Sequence, residues 1–322
     1  MSGIGVGWHC GIGNFIVATT AMQALADIAG HPIDLIFDAS WKGSDRDSIE
    51  MMAKRMSFIN KIVDYFPGDT LNQYDHVYMS RHSTLTSSLY QRLYGNMAKE
   101  LPKLPMWAAS YQHERDYYLS EIEALLGTRA RIFPQFVPIA NSFPFEISDK
   151  PYIVIANGWK RTKGAFWERK CWPHFGEFVN VFLSYYPEFD VCIVGGEEDQ
   201  IWSKNLEIFP DFLVKNRVHD FTGRLNILET AYLISRAKLV VSNDSVVGHF
   251  SDCLKKQGIT LWGPTLVSKN GALNETIENV RSSLKCAPCQ GTHLGMICDD
   301  WERCMAEIPV GLIMAVVKKL LT

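Results

Sequence analysis

Short apolar runs alternate with helical patterns along most of this chain, and that alternation restricts the fold to a parallel α/β sheet. Gly5–Trp8 is a short apolar run that leads into the glycine-rich turn HCGIGN. Phe15–Ala29 then has helical periodicity and stops at Gly30. Ile33–Phe37 reads as a buried strand, Ser48–Met56 as a helix, and Lys61–Tyr65 and His76–Met79 as two more strand-like runs. Helical patterns cover about Leu85–Lys99 and Arg115–Leu126.

The pattern lapses in PQFVPIANSFPFEISDKP, whose prolines mark a linker, and then restarts. Tyr152–Ala156, Val191–Val194, Leu239–Ser242 and Ile259–Trp262 read as strands. Pro173–Tyr185, Asn226–Arg236, Val246–Lys255 and Pro309–Leu321 read as helices, with Asn226 and Glu229 at capping-box spacing. A length of 322 residues also favours two domains. The expected division is an N-terminal Rossmann-like domain over 1–133, a linker over 134–150, a nucleotide-binding domain over 151–308 and a closing helix over 309–322. Two such doubly wound domains would face each other across a cleft at the carboxyl ends of their strands.

A net charge of −3 gives no general attraction to nucleic acid or anionic lipid. The first residues lack the basic and apolar regions of a signal peptide, and no uninterrupted apolar run approaches the ~20 residues of a membrane span. The expectation is a cytoplasmic protein with no transmembrane segment, in solution or peripheral at the inner membrane face.

Three stretches carry candidate chemistry. In VVSNDSVVGHF a strand runs into a polar turn and a helix opens, an arrangement that attracts phosphate to unpaired amides. Asp244 and Ser245 sit at that turn, and His249 lies one turn into the helix; an ordinary N-capped helix has the same pattern. In VGGEED, glycines after a strand allow a ligand to come close and an acid there accepts ribose hydroxyls, though the pattern also fits a plain helix start. In NGWKRTKGAFWERKCWPHF, basic residues interleave with tryptophans just after a strand. Such a loop suits a pyrophosphate, tracks single-stranded nucleic acid, or is simply solvated.

Taken together, these stretches resemble glycosyltransferase family 9, the ADP-heptose:lipopolysaccharide heptosyltransferases. GIGNFIVATTAMQAL is similar to the family's N-terminal motif, KCWPHFGEFV to its Lys-x-Trp-Pro stretch and IVGGEED to its Gly-Gly/Ala-Glu turn. The segment from DFTGRLNILETA to LWGPT follows the family's most distinctive region. The resemblance implies a GT-B architecture and inverting hexosyl, heptosyl or pentosyl transfer from a nucleotide-sugar, with an ADP-sugar favoured and no catalytic metal. It places Lys170 on the donor phosphates, Glu197 on the ribose, and Ser245 with the helix opening at Val246 on the pyrophosphate. Asp244 and His249 lie close by.

Two departures stand out. Asn14 occupies the place of the family's candidate base, and an amide positions a hydroxyl without accepting its proton. His9, Asp38 and His82, all at expected strand ends, are the alternative bases. Val246 replaces a glycine in the phosphate turn, which leaves the identity of the donor open. The acceptor would be lipopolysaccharide core, a protein side chain or, with less support, a modified DNA base. A sugar-nucleotide epimerase and a non-catalytic nucleotide-sugar-binding module are the rival readings.

Four of the eight cysteines lie within residues 286–304, at Cys286, Cys289, Cys298 and Cys304. The C-x2-C pair has chelating spacing, four thiolates complete a tetrahedral zinc or iron site, and His293 is a substitute ligand. A set of buried thiols is the alternative. The family reading puts the cluster after the last donor-domain strand, as a closed structural clip or a support for contacts in a homo-oligomer.

Overall fold

The computed structural model describes residues 3–66, 68–69, 71–79, 112–158, 167–211, 216–290, 298 and 303–322. The chain divides into two compact units, Met1–Pro138 and Ile139–Thr322. The expected helix over Leu85–Lys99, together with His82 and His293, lies outside the described residues.

The first unit is built on four parallel strands, β1 (Gly3–Trp8), β2 (Ile33–Asp38), β3 (Ile59–Tyr65) and β4 (Tyr74–Tyr78), in the order β3-β2-β1-β4. Both faces of β2 are buried, which is why it reads as a nearly continuous apolar run. Helix α1 (Ile12–Ala29) follows β1 and ends where Gly30 takes the left-handed conformation that glycine adopts without strain. By length and composition α1 could cross a membrane, but 61% of its apolar stretch is buried within the structure. Helix α2 (Ser44–Ala53) begins four residues before the expected start. Asp45 and Asp47 fill its first turn, where carboxylates suit the helix dipole. Helix α3 (Glu114–Leu126) packs against α1 and buries two carboxylates, Glu114 and Glu121.

The second unit holds six parallel strands: β5 (Tyr152–Ala156), β6 (Asp190–Ile193), β7 (Val218–Asp220), β8 (Leu239–Asn243), β9 (Gly258–Trp262) and β10 (Ile277–Arg281). Their order is β10-β9-β8-β5-β6-β7. Sequence order therefore reverses between β5 and β8, the switch point at which doubly wound sheets open a ligand crevice. Its longer helices are α4 (Phe175–Tyr185), α5 (Ile227–Arg236), α6 (Val246–Cys253) and the closing helix α7 (Val310–Leu321). The side chain of Asn226 accepts from the amides of Leu228 and Glu229, and Glu229 accepts from the Asn226 amide, completing the expected capping box.

The core of this unit joins Trp172 and the apolar face of α4 to β5, β6, β8 and β9 and to α7. Trp172 is 1% exposed, and its indole N–H donates to the Ile308 carbonyl at 2.8 Å. That bond ties the chain entering α4 to the chain entering α7.

Candidate functional site

At the switch point of the second unit, β5 ends at Ala156 beside Ser242 of β8. Asn243, the last residue of β8, is fully buried and joins the neighbouring loops. Its Oδ1 accepts from the Trp172 amide at 3.1 Å, and its Nδ2 donates to the carbonyls of Asn157 and Gly158 at 3.4 Å. The Asn of the Asn-Asp-Ser turn is therefore a structural brace, a role the sequence reading did not assign.

The next residue, Asp244, forms an ion pair with Lys170, whose Nζ lies 3.0 Å from its Oδ2. Both side chains are largely buried, at 14% and 10% exposure. Lys170 ends a short 3-10 turn, Trp167–Lys170. The preceding Arg169 donates from Nη2 to the carbonyl of Cys298 at 2.9 Å. Two residues expected on the donor, Lys170 and Asp244, are thus brought together across 74 positions of sequence.

Ser245 is the N-cap of α6 with extended backbone, and its hydroxyl makes no side-chain cap. Around it, the hydroxyls of Ser242, Ser245 and Thr265 and the side-chain carbonyl of Asn157 are buried without a hydrogen-bond partner. They lie at or just beyond the carboxyl ends of three adjacent strands, β5, β8 and β9. Buried polar groups are nearly always satisfied, so a cluster of orphans beside a helix start is a place prepared for a polar ligand.

Val246 is the first residue of α6 and Gly248 lies two residues on. A Cβ at Gly248 would meet the Thr260 hydroxyl at 3.2 Å and the Ser242 hydroxyl at 3.4 Å. Close approach of helix to sheet is thus made by Gly248, and position 246 does not need a glycine for it. His249 is half-buried on the same helix.

Glu197 is exposed just beyond β6, at the start of the turn Glu197–Asp199. Asp199, which the sequence reading passed over, packs its carboxylate against the glycines of two loops. A Cβ at Gly158 would fall 2.1 Å from Asp199 Cγ, and one at Gly195 would fall 2.8 Å from Asp199 Oδ2. Asp199 Oδ2 also accepts from the Gly196 amide at 2.9 Å. The glycines of NG and VGG make room for this carboxylate, and Glu197 is left at the surface.

In the first unit, the His9 ring stacks on Trp41 with centroids 4.7 Å apart. Asp38 is fully buried at the end of β2, where Oδ1 accepts from the amide and hydroxyl of Ser40 at 2.9 and 2.7 Å. That geometry is an Asx-type turn that fixes the chain leaving the strand. Asn14, in the first turn of α1, donates from Nδ2 to Glu114 Oε1 at 2.7 Å and accepts from Cys10 Sγ at 3.2 Å. Glu114 also accepts from the Tyr118 hydroxyl at 2.6 Å. Burial, together with the neighbouring carboxylate, holds the Tyr118 phenol well above its usual range, so it stays a donor.

Cys289, Gln290 and Cys304 lie against the turn that follows β9. The amides of Cys289 and Gln290 donate to the Pro264 carbonyl at 3.0 and 2.8 Å. A Cβ at Gly263 would meet Cys304 Sγ at 2.7 Å. Burial pushes the Cys304 thiol up to about 11, with further contributions from Cys289, Cys286 and Cys298. Burial raises Cys289 as well, followed by the influence of Cys298. Among the described residues no three acidic, histidine or cysteine side chains sit together at metal-holding spacing.

Comparison with known proteins gives a consistent result. The sequence profile of glycosyltransferase family 9 (heptosyltransferase) matches residues 97–296. Lipooligosaccharide heptosyltransferase 2 of Haemophilus ducreyi is 25% identical over 118 residues, 36% of this chain. The match spans 34% of that protein, about a third of its length. The fold is similar to E. coli ADP-heptose lipopolysaccharide heptosyltransferase II, with a TM-score of 0.72 at 14% identity over 99% of this chain and 98% of that one. It is also similar to the dodecameric iron-containing heptosyltransferase TibC of enterotoxigenic E. coli, solved with ADP-D-beta-D-heptose. There the TM-score is 0.64 at 15% identity, over 100% of this chain and 77% of TibC. These likenesses establish the two doubly wound units of the GT-B class.

Proposed function

The chain belongs to glycosyltransferase family 9, the heptosyltransferase family, and on that premise we propose that it is an inverting glycosyltransferase. The donor is an ADP-sugar of the heptose class, and the acceptor is a hydroxyl of lipopolysaccharide core. One observation carries this reading. The Lys170–Asp244 pair and the orphaned hydroxyls of Ser242, Ser245 and Thr265 gather beside the N-terminus of α6 at the switch point.

In the reaction, the acceptor oxygen forms a bond to the anomeric carbon as the bond from that carbon to the diphosphate breaks. The diphosphate leaves with the electron pair, and the acceptor proton passes to a base. Negative charge grows on the leaving group, and that is where Lys170 and the amides opening α6 act. The seryl and threonyl hydroxyls donate to phosphate oxygens, and Glu197 accepts from the ribose. Asp244 keeps Lys170 aimed while the donor is absent.

A thermal-shift screen across ADP-, GDP-, UDP- and CMP-sugars tests the donor assignment. A ligand at 100 times its Kd adds about 2.7 kcal/mol to the folded state, roughly 5–10 °C in a unit of this size. The ADP-sugar should give that shift and the others should not. A shift confined to a UDP-sugar would reverse the assignment.

We also propose that Cys286, Cys289, Cys298 and Cys304 hold one zinc or iron ion as a closed clip over the Gly263–Pro264 turn. Support comes from the all-thiol donor set, the placement of Cys289 and Cys304 at one turn and the similarity to the iron-containing TibC. When bound, the ion would supply rigidity, since four protein ligands leave no open position for catalysis. Metal analysis of protein purified without added metal should find close to one equivalent per chain. Less than about half an equivalent would favour free thiols. The same reading puts the chain in the cytoplasm, peripheral at the inner membrane face, where it meets its acceptor.

A further inference from the structure

Residues 169–174 are held by two sets of bonds. One set joins them to the switch point: Lys170 Nζ lies 3.0 Å from Asp244 Oδ2, and the Trp172 amide donates to Asn243 Oδ1 at 3.1 Å. The other set joins them to the chain that leads into α7. Arg169 Nη2 donates to the Cys298 carbonyl at 2.9 Å and Trp172 Nε1 to the Ile308 carbonyl at 2.8 Å, while His174 Nε2 meets the Ala306 carbonyl at 2.9 Å.

Trp172 belongs to the core, and packing accounts for its burial. Arg169 is a different case. It is 7% exposed, although arginine is among the residues least often buried, because its guanidinium must give up water. Its place in the chain gives that burial a use. Arg169 and Lys170 are adjacent in the turn Trp167–Lys170, where three residues complete one revolution and neighbouring side chains diverge by about 120°. Arg169 therefore reaches Cys298 while Lys170 reaches Asp244. A 3-10 piece of four residues has few internal hydrogen bonds to hold its own shape, so an outside anchor sets where the lysine stem begins. Fixing that stem in advance also lowers the entropy lost when its ammonium group engages a ligand.

The same part of the chain backs a second segment of the site. A Cβ at Gly263 would meet Met305 Sδ at 2.6 Å and Cys304 Sγ at 2.7 Å. Two residues on, Thr265 carries one of the orphaned hydroxyls.

We infer that Arg169 is a positioning residue for the donor: anchored on the Cys298 carbonyl, it holds the turn that aims Lys170 at the diphosphate. Donor binding is thereby coupled to the order of the chain that carries Cys298 and Cys304. The anchor is a backbone carbonyl, so it makes no demand on the Cys298 thiol. Arg169 acts through Lys170 and does not itself touch the donor. This role rests on the reading that puts Lys170 on the donor phosphates, and the two fail in different ways.

A double-mutant cycle on ADP binding tests it. Wild type, Arg169→Ala, Lys170→Ala and the double variant are compared by calorimetry, with melting followed for each. Arg169→Ala should weaken ADP binding about fivefold or more, within the range by which changes along a coupled network act. With Lys170 absent there is nothing left to aim, so the same Arg169→Ala change should then cost less than about twofold. An arginine with a merely structural role, or one that touched the donor directly, would weaken ADP by the same factor with and without Lys170. That result would overturn the inference, as would wild-type affinity in Arg169→Ala. Coupling is reciprocal, so in wild type ADP should also slow amide exchange in peptides covering residues 303–308. Exchange there unchanged by ADP would overturn the inference even where the alanine variant does not fold. A Lys170→Ala variant that binds ADP like wild type would instead remove the donor reading, and this role with it.

Discussion

Replacing Lys170 by alanine should weaken ADP binding about 10- to 100-fold, the largest loss expected from any single donor-site change. A hydrogen bond to a charged group contributes roughly 1.5–3 kcal/mol, and each 1.4 kcal/mol is about tenfold in affinity. Two features place Lys170 at the upper end of that range. Its ammonium group is largely buried beside Asp244, so solvent screens it weakly. Its removal also leaves the Asp244 carboxylate uncompensated next to the incoming diphosphate, converting attraction into repulsion. Isothermal calorimetry with ADP measures the effect. Lys170→Arg, which keeps the charge, should retain more affinity than the alanine variant. An alanine variant that binds ADP as tightly as wild type would remove Lys170 from the site.

The largest effect on stability is expected from Trp172→Ala. The ring lies against Phe175 and Phe178, with centroids 5.1 and 6.0 Å away. Truncating a buried tryptophan costs about 3–5 kcal/mol, and this one would also leave the Ile308 carbonyl without its donor. For a unit of this size, each kcal/mol lowers Tm by about 2–4 °C, so a fall of roughly 10 °C or more should appear in a circular-dichroism melt. The bond to Ile308 precedes α7, so the closing helix should undock in the same transition. A shift of only a degree or two would mean that the Trp172 site tolerates the cavity.

These two cases show where sequence sufficed and where it did not. Strands β5, β6, β8 and β9 are buried on both faces, which produces apolar runs that are plain in the sequence. Strand β10, IENVR, was missed because it lies at the sheet edge and is only partly buried, so its side chains carry little apolar signal. β7 is only three residues long. Within the site, Lys170 and Asp244 were identified singly, but their pairing depends on the order of β5 and β8 in the sheet.

Glu114 shows the limit most clearly. It lies 100 residues from Asn14, and in the sequence it is an acidic residue at a helix start, where acids are ordinary. Nothing local marks it as buried or as the partner of an amide in another helix. Asp199 was overlooked for the same reason, since an acid after two glycines reads as a helix cap. Spacing suggested a metal for the cysteines, and the structure adds that Cys289 and Cys304 lie against the Gly263–Pro264 turn after β9. Asp38, read as a candidate base, also accepts from Ser40 in the loop after β2, a contact that its sequence position does not announce.

The central claim, transfer of a sugar from an ADP-sugar to a glycan hydroxyl, is tested most directly by product analysis. The purified chain is incubated with ADP-heptose and heptose-deficient lipopolysaccharide, and both products are followed by mass spectrometry and NMR. The account predicts that ADP appears in step with an acceptor heavier by one heptose, and that the new linkage has the opposite anomeric configuration to the donor. Binding of ADP-heptose with neither transfer nor hydrolysis would contradict it, as would conversion of a UDP-sugar to its epimer with no acceptor present.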